Sequence, residues 1–223
     1  MSENNKLMFF KIIEDNIVNI INDLSKLPVL KFENLDKEKS TLIVINPVNG
    51  YVKKGKLCSE RLSDIVRPIT KIFKKFKNEN MDIIVFSDSH TLKSVELFNQ
   101  PEHCIKGTEE AEIIDEIKQI GGFKQVEMNS TNAFHVPDFQ EYLANNKKKD
   151  TFVICGNYTD TCILNFAVTL KTYFDQFDKK VDIYISIDSV ETYDYEIHNG
   201  ELMNILSLQI MLNSGIKLVS NIK

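Results

Sequence analysis

The chain has no tryptophan, and only five prolines and eight glycines among 223 residues. No internal repeat and no low-complexity tract interrupts it. Cysteine is scarce as well. The four present, Cys58, Cys104, Cys155 and Cys162, form no CxxC pair and no dense framework, so reduced thiols in a cytoplasm are expected rather than disulfides. No apolar run approaches the ~20 residues that span a bilayer, and Met1 to Lys6 lacks the basic-then-apolar plan of a signal peptide. Positive charge is not in excess: 27 Lys and Arg stand against 32 Asp and Glu, a net charge of −5, which argues against nucleic acid as the main partner. What the chain does have is 43% hydrophobic residues, enough for an ordinary core. Its length suits one domain, or one domain with an appendage.

Apolar positions at Leu7, Phe10, Ile13, Ile17, Ile20, Ile21 and Leu24 predict an N-terminal helix, ended near Pro28. The polar stretch 30–40 reads as a linker. The expected division is therefore a helical extension over 1–40 and one main domain over 41–223. Beyond it, buried strands are predicted at 41–45, 82–87, 125–128, 151–154, 181–187 and 216–219. Helices are predicted at about 59–78, with a break near Pro68, and at 108–120, 137–145, 162–170 and 198–213. Strands and helices alternate, and most strands are apolar on both faces. That pattern belongs to an α/β fold: three layers, α/β/α, with a doubly wound, mainly parallel six-stranded sheet. Ligands in such sheets bind beyond the carboxyl ends of the strands.

Four of those ends carry chemistry. The first delivers Asn46, the second Asp88-Ser89-His90, the third Met128-Asn129-Ser130. The fourth is the stretch Val153 to Ala167. There a strand breaks at Gly156-Asn157, Thr159 or Asp160 can cap a helix, and Cys162 falls in the helix's first turn. Unpaired backbone N–H groups at such a place favour thiolate and can hold an oxyanion. The bland alternative is a small apolar cysteine packed under the sheet. Asp88 and His90, with His103 in the following loop, make a ligand set for zinc or a similar divalent ion. The bland alternative is a capping loop aspartate and two surface histidines, and the D-x-H spacing by itself does not exclude it. His135 and His198 look structural.

With these ends placed, the sequence resembles the isochorismatase-like cysteine hydrolases, and nicotinamidases most of all. The residues that carry the resemblance are Asp88-Ser89-His90, the segment Pro101-Glu102-His103-Cys104-Ile105-Lys106-Gly107-Thr108, and Thr159-Asp160-Thr161-Cys162. Weaker matches are Ser130 to Phe134 and Glu191-Thr192-Tyr193-Asp194 with His198. The likeness runs from about Thr41 to the C-terminus. It implies that Cys162 attacks a small carboxamide to give a thioester. Backbone N–H groups of Tyr158 and Cys162 would hold the oxyanion, and Tyr51, Phe134 and Asn157 would line the substrate. It implies a metal on Asp88, His90 and His103, a cis peptide at Asn157–Tyr158, and a homo-oligomer, a dimer by default. Two positions depart from the family pattern. Its aspartate falls on Asn46, which cannot accept a proton from the thiol, and its lysine falls on Met128. The pair is lost together, which avoids an unpaired buried charge. An impaired hydrolase and a non-catalytic binder of metal and a small ligand both remain open on this reading. Ser89, where the family often has an aromatic, is expected to widen the pocket.

Overall fold

A computed structural model of the chain describes residues 3–98 and 100–223. Met1 and Ser2 of the N-terminal segment, and Asn99 of the loop over 88–107, lie outside the described residues. In chain order the elements are α1 (Glu3–Leu24), β1 (Ser40–Ile45), α2 (Asn49–Val52), α3 (Glu60–Asp64), α4 (Val66–Asn78), β2 (Asp82–Asp88), α5 (Asp115–Lys118) and β3 (Lys124–Met128). They continue with α6 (Pro137–Asn145), β4 (Thr151–Asn157), α7 (Leu164–Gln176), β5 (Asp182–Glu191), α8 (Gly200–Asn213) and β6 (Lys217–Val219). The six strands form one sheet in the order β3-β2-β1-β4-β5-β6. Every neighbouring pair is parallel.

Side chains alternate across each strand, so both faces of the sheet must be covered. Ile43, Ile45, Phe86 and Ile154 face the layer of α6, α7 and α8, where Phe139, Phe166, Leu170 and Leu208 meet them. Leu42, Val44, Val85 and Val153 face Ile69, Phe73 and Phe76 of α4 and Ile117 of α5. Phe166 of α7 sits against Phe86 and Phe139, with ring centroids 5.6 and 5.2 Å away. Burying one such aromatic stabilises the fold by about 1.5–3 kcal/mol. The predicted α/β/α sandwich is thus the observed one. Among the described residues, no helix is long and apolar enough to cross a membrane.

Several elements differ from the sequence reading, each for a local reason. The helix expected over 59–78 is two helices that meet at Ile65. Pro68 lies in the first turn of α4, where its missing N–H costs nothing. The helix expected over 108–120 shrinks to α5 and a short turn at Glu109–Ala111. Between them Ile113 bridges Val48, and the Ile114 N–H donates to the Pro47 carbonyl (2.9 Å), so this stretch stays extended. Asn49, expected in a loop, opens the short helix α2. The helix expected from His198 starts at Gly200, because Asn199 caps it by accepting from the Leu202 N–H at 2.9 Å. Residues 30–35 are not a free linker. Leu30 bridges Ile222, Phe32 meets Phe76 edge-on, and Leu30 and Leu35 are buried.

Candidate active site

The strand order reverses between β1 and β4, and the two ends are tied side by side there. Asn46 follows β1 with φ of 57°, a left-handed conformation that asparagine tolerates. Its carbonyl accepts from Asn157 Nδ2 at 2.9 Å. One residue earlier on β4, a Cβ on Gly156 would lie 2.0 Å from the Ile45 carbonyl oxygen. Only glycine allows the strands this close. The next peptide, Asn157–Tyr158, is cis, where the resemblance placed one.

Cys162 follows directly, in a wide π-helical turn over Thr159–Ile163. The sequence reading placed a capped helix start here. Asp160 does not serve as its cap. Its carboxylate instead takes the Thr192 hydroxyl at 2.6 Å and His198 Nε2 at 2.7 Å. His198 Nδ1 lies 2.9 Å from the Tyr193 carbonyl, and the Tyr193 ring stacks on the imidazole at 4.2 Å. His198, read as bland, therefore braces the turn that carries the thiol. The quoted Glu191-Thr192-Tyr193-Asp194 segment was the signal for it.

Cys162 is buried, 4% exposed as a residue. Asn46 Nδ2 donates towards its sulfur at 3.6 Å and to Asp88 Oδ2 at 2.9 Å, while Asn46 Oδ1 accepts from the Asp88 N–H at 2.9 Å. Asn46 thus links sulfur to carboxylate with both amide atoms engaged. Burial first, and then the Asp88 charge, push the Cys162 thiol up to about 12. The Tyr158 backbone N–H and the Thr161 hydroxyl, 3.8 Å from the sulfur, pull the other way.

Asp88, His90 and His103 come together, each offering a ligand atom within 4.8 Å of the others. The His90 and His103 rings are 4.7 Å apart. Asp88 Oδ2 accepts from Asn46 and from the Tyr51 hydroxyl. Asp88 Oδ1 and His90 Nε2 have no hydrogen-bond partner among the described residues. The Pro101 carbonyl, 2.7 Å from His103 Nδ1, fixes that ring. A buried carboxylate oxygen, a free imidazole nitrogen and an anchored second imidazole fit a divalent cation. Burial keeps the His90 imidazole below its ordinary value, hence neutral, as a ligand must be. Burial also pushes Asp88 up to about 6.

The remaining predicted residues take these places. Met128 pairs in register with Asp88 and is buried in the cluster that holds Cys162, Ala133 and Phe134. Phe134 packs on Phe139 and Tyr173. Asn157 Nδ2 donates to the Asn46 carbonyl, while its Oδ1 is buried with no hydrogen-bond partner among the described residues. Tyr51, Tyr158 and Tyr193 form an aromatic roof, with successive centroids 4.9 and 4.7 Å apart. Ser89 does not widen this pocket. It turns to a separate cleft beside Gly107, Gln125 and Glu127, because its neighbours Asp88 and His90 take the other face. Cys58 is exposed, Cys104 and Cys155 are buried, and all are free.

The chain shares this architecture with known proteins. It is 25% identical to nicotinamidase 1 of Arabidopsis thaliana over 84% of this chain and 88% of that one. The N-carbamoylsarcosine amidase structure from Thermoplasma acidophilum superposes with a TM-score of 0.68 at 23% identity, covering 81% of this chain and 95% of that one. The pyrazinamidase of Pyrococcus horikoshii, solved in complex with zinc, gives 0.67 at 20% identity over 81% and 98%. The Isochorismatase domain model matches residues 40–212, the stretch from β1 into the last turn of α8 that carries five of the six strands and the candidate site, and the chain belongs to that family.

Proposed function

We propose that this protein is a cysteine amidohydrolase of small, nicotinamide-like carboxamides, working through a Cys162 thioester at a rate held down by Asn46 and Met128. The observation that carries the reading is a buried thiol in a helical turn, linked through Asn46 to a cation-binding trio at the end of β2 and in the loop after it. A divalent cation held by Asp88, His90 and His103 would supply a Lewis-acidic centre for an electron-pair donor of the substrate. Cys162 Sγ bonds to the amide carbon. The C–N bond breaks, and the amine leaves as ammonia with the thiol proton. Water then cleaves the thioester, giving the acid and restoring the thiol. The Tyr158 and Cys162 backbone N–H groups are the donors for the oxyanion. Asn46 presents an N–H, not a lone pair, to the sulfur. A general base of the kind missing here is worth ~10² to 10⁴-fold. Cysteine is the nucleophile that depends on one least.

Ammonia release from nicotinamide by the zinc-loaded protein tests the reading, with loss of activity expected in Cys162→Ala. Nicotinamide that raises the melting temperature of both wild type and Cys162→Ala, with no ammonia from either, would instead establish a non-catalytic binder. That second reading is favoured by the raised thiol and the reversed hydrogen bond at Asn46.

The two departures give a second prediction. Asn46→Asp alone sets a carboxylate where Nδ2 now lies 2.9 Å from Asp88 Oδ2, and like charges there repel. Met128→Lys alone buries an unpaired cation. Together they compensate, and the double variant should gain on the order of 10²-fold in amide hydrolysis. A double variant that folds, binds zinc and gains nothing would show that these positions are not the missing pair.

A further inference from the structure

We infer that α1 is a self-association arm that pairs antiparallel with α1 of a second copy of this chain. The helix precedes the matched family domain, residues 40–212. Of its 22 residues only Leu24 is buried. Its C-terminal end is seated: Leu24 belongs to the main core, and Ile20 packs against it. The same apolar face then runs on towards the N-terminus and, among the described residues, is left exposed. Leu7, Phe9, Phe10, Ile13, Val18 and Ile21 lie within about half the helix circumference at 100° per residue, and all are exposed, Leu7 by 74% and Phe10 by 62%. The helix lies against α8, whose Leu202, Leu206 and Ile210 form an exposed row at spacing four.

Area and charge both point to a second copy. At on the order of 100 Å² each, these nine side chains offer roughly 900 Å², against about 800 Å² per partner in a standard stable interface. A monomer rarely leaves so large an apolar patch open. The charges of α1 are divided along its length. The first half holds Lys6 and Lys11 against Glu3 and is net basic, and the second holds Glu14, Asp15 and Asp23 and is acidic. An antiparallel pair sets each basic half against the other's acidic half, whereas a parallel pair sets like against like. A lipid surface fits less well. Membrane-surface helices carry Lys and Arg on the polar face, and here four carboxylates, Glu3 included, outnumber two lysines.

Light scattering on the size-excluded full chain, at micromolar concentration, tests the proposal. Phe9→Asp with Phe10→Asp changes only exposed side chains, so the fold should hold by circular dichroism while the assembly mass halves. Charge variants test the antiparallel pairing itself. Lys6→Glu with Lys11→Glu gives an all-acidic arm, and Glu14→Lys with Asp15→Lys gives a mostly basic one. Each alone should lose the assembly, and a one-to-one mixture should restore it. A wild type that is monomeric, a mass unchanged in the Phe9 and Phe10 variant, or a mixture that stays apart would overturn the proposal. So would a monomer that sediments with phosphatidylcholine–phosphatidylserine vesicles through the same face.

Discussion

At Asp88 one carboxylate oxygen is in use and the other is not. Oδ2 takes hydrogen bonds from Asn46 and Tyr51, while Oδ1 has no hydrogen-bond partner among the described residues. Burial raises the group from 3.8 to about 6. The sign follows from which state holds the proton. Between pH 4 and 6 the folded carboxyl keeps it while the unfolded one releases it. The contribution to stability is therefore complete below about pH 4 and declines as pH rises to 6. A shift of about two units corresponds to roughly 3 kcal/mol. With divalent ions chelated, urea unfolding of Asp88→Asn should gain on wild type by up to that amount between pH 4 and pH 7. A difference that stays flat with pH would mean that the folded carboxyl is not desolvated. Asp88, His90, His103 and Cys162 could be read from the chain because their spacing and neighbours are local. The direction of the Asn46 hydrogen bond could not. It depends on a sulfur 116 residues away.

Among the elements, the cover over the site is the α2–α3 segment, residues 49–64. It supplies Tyr51 to Asp88, and its Leu57 carbonyl takes the Tyr158 hydroxyl at 2.8 Å. Arg61 fastens the segment to the far side of the crevice. It reaches Glu191 at 3.0 Å, Glu201 at 3.1 Å and the Thr192 carbonyl at 3.2 Å, with Asp194 at 3.6 Å. Without it, the half-buried Glu191 loses its cation. Arg61→Ala should therefore cost about 1–3 kcal/mol, discounted for partial exposure, and lower the melting temperature by several degrees. Trypsin should then cut faster at Lys54 and Lys56, because the cover opens. Unchanged cleavage there would mean that Leu62, fully buried, holds the segment alone. Arg61 did not stand out in the sequence, nor did its pairing with Glu191 and Asp194, since charged residues at wide separations carry no periodicity. The 108–120 helix was misread for a related reason: Val48 and Pro47 pull Ile113 and Ile114 into an extended stretch.

At the scale of the whole molecule, two apolar clusters close the two faces of one parallel sheet, and a third roofs its carboxyl edge with Tyr51 and Tyr158. The alternation of β-branched runs with amphipathic stretches determined that architecture, because each run must bury both faces and each helix one. The chain by itself also determined which residues stand at the strand ends, and that the first helix has an apolar side. Tertiary structure alone decided the rest. It decided that β1 and β4 meet across Gly156, where no side chain fits. It decided that His198 crosses 38 residues to brace the Cys162 turn through Asp160, and that the apolar side of α1 is covered only at its C-terminal end. The physical reason is common to all three. Periodicity along a chain reports how each residue sits relative to its own backbone, whereas these contacts join segments whose separation is set only when the whole sheet has closed.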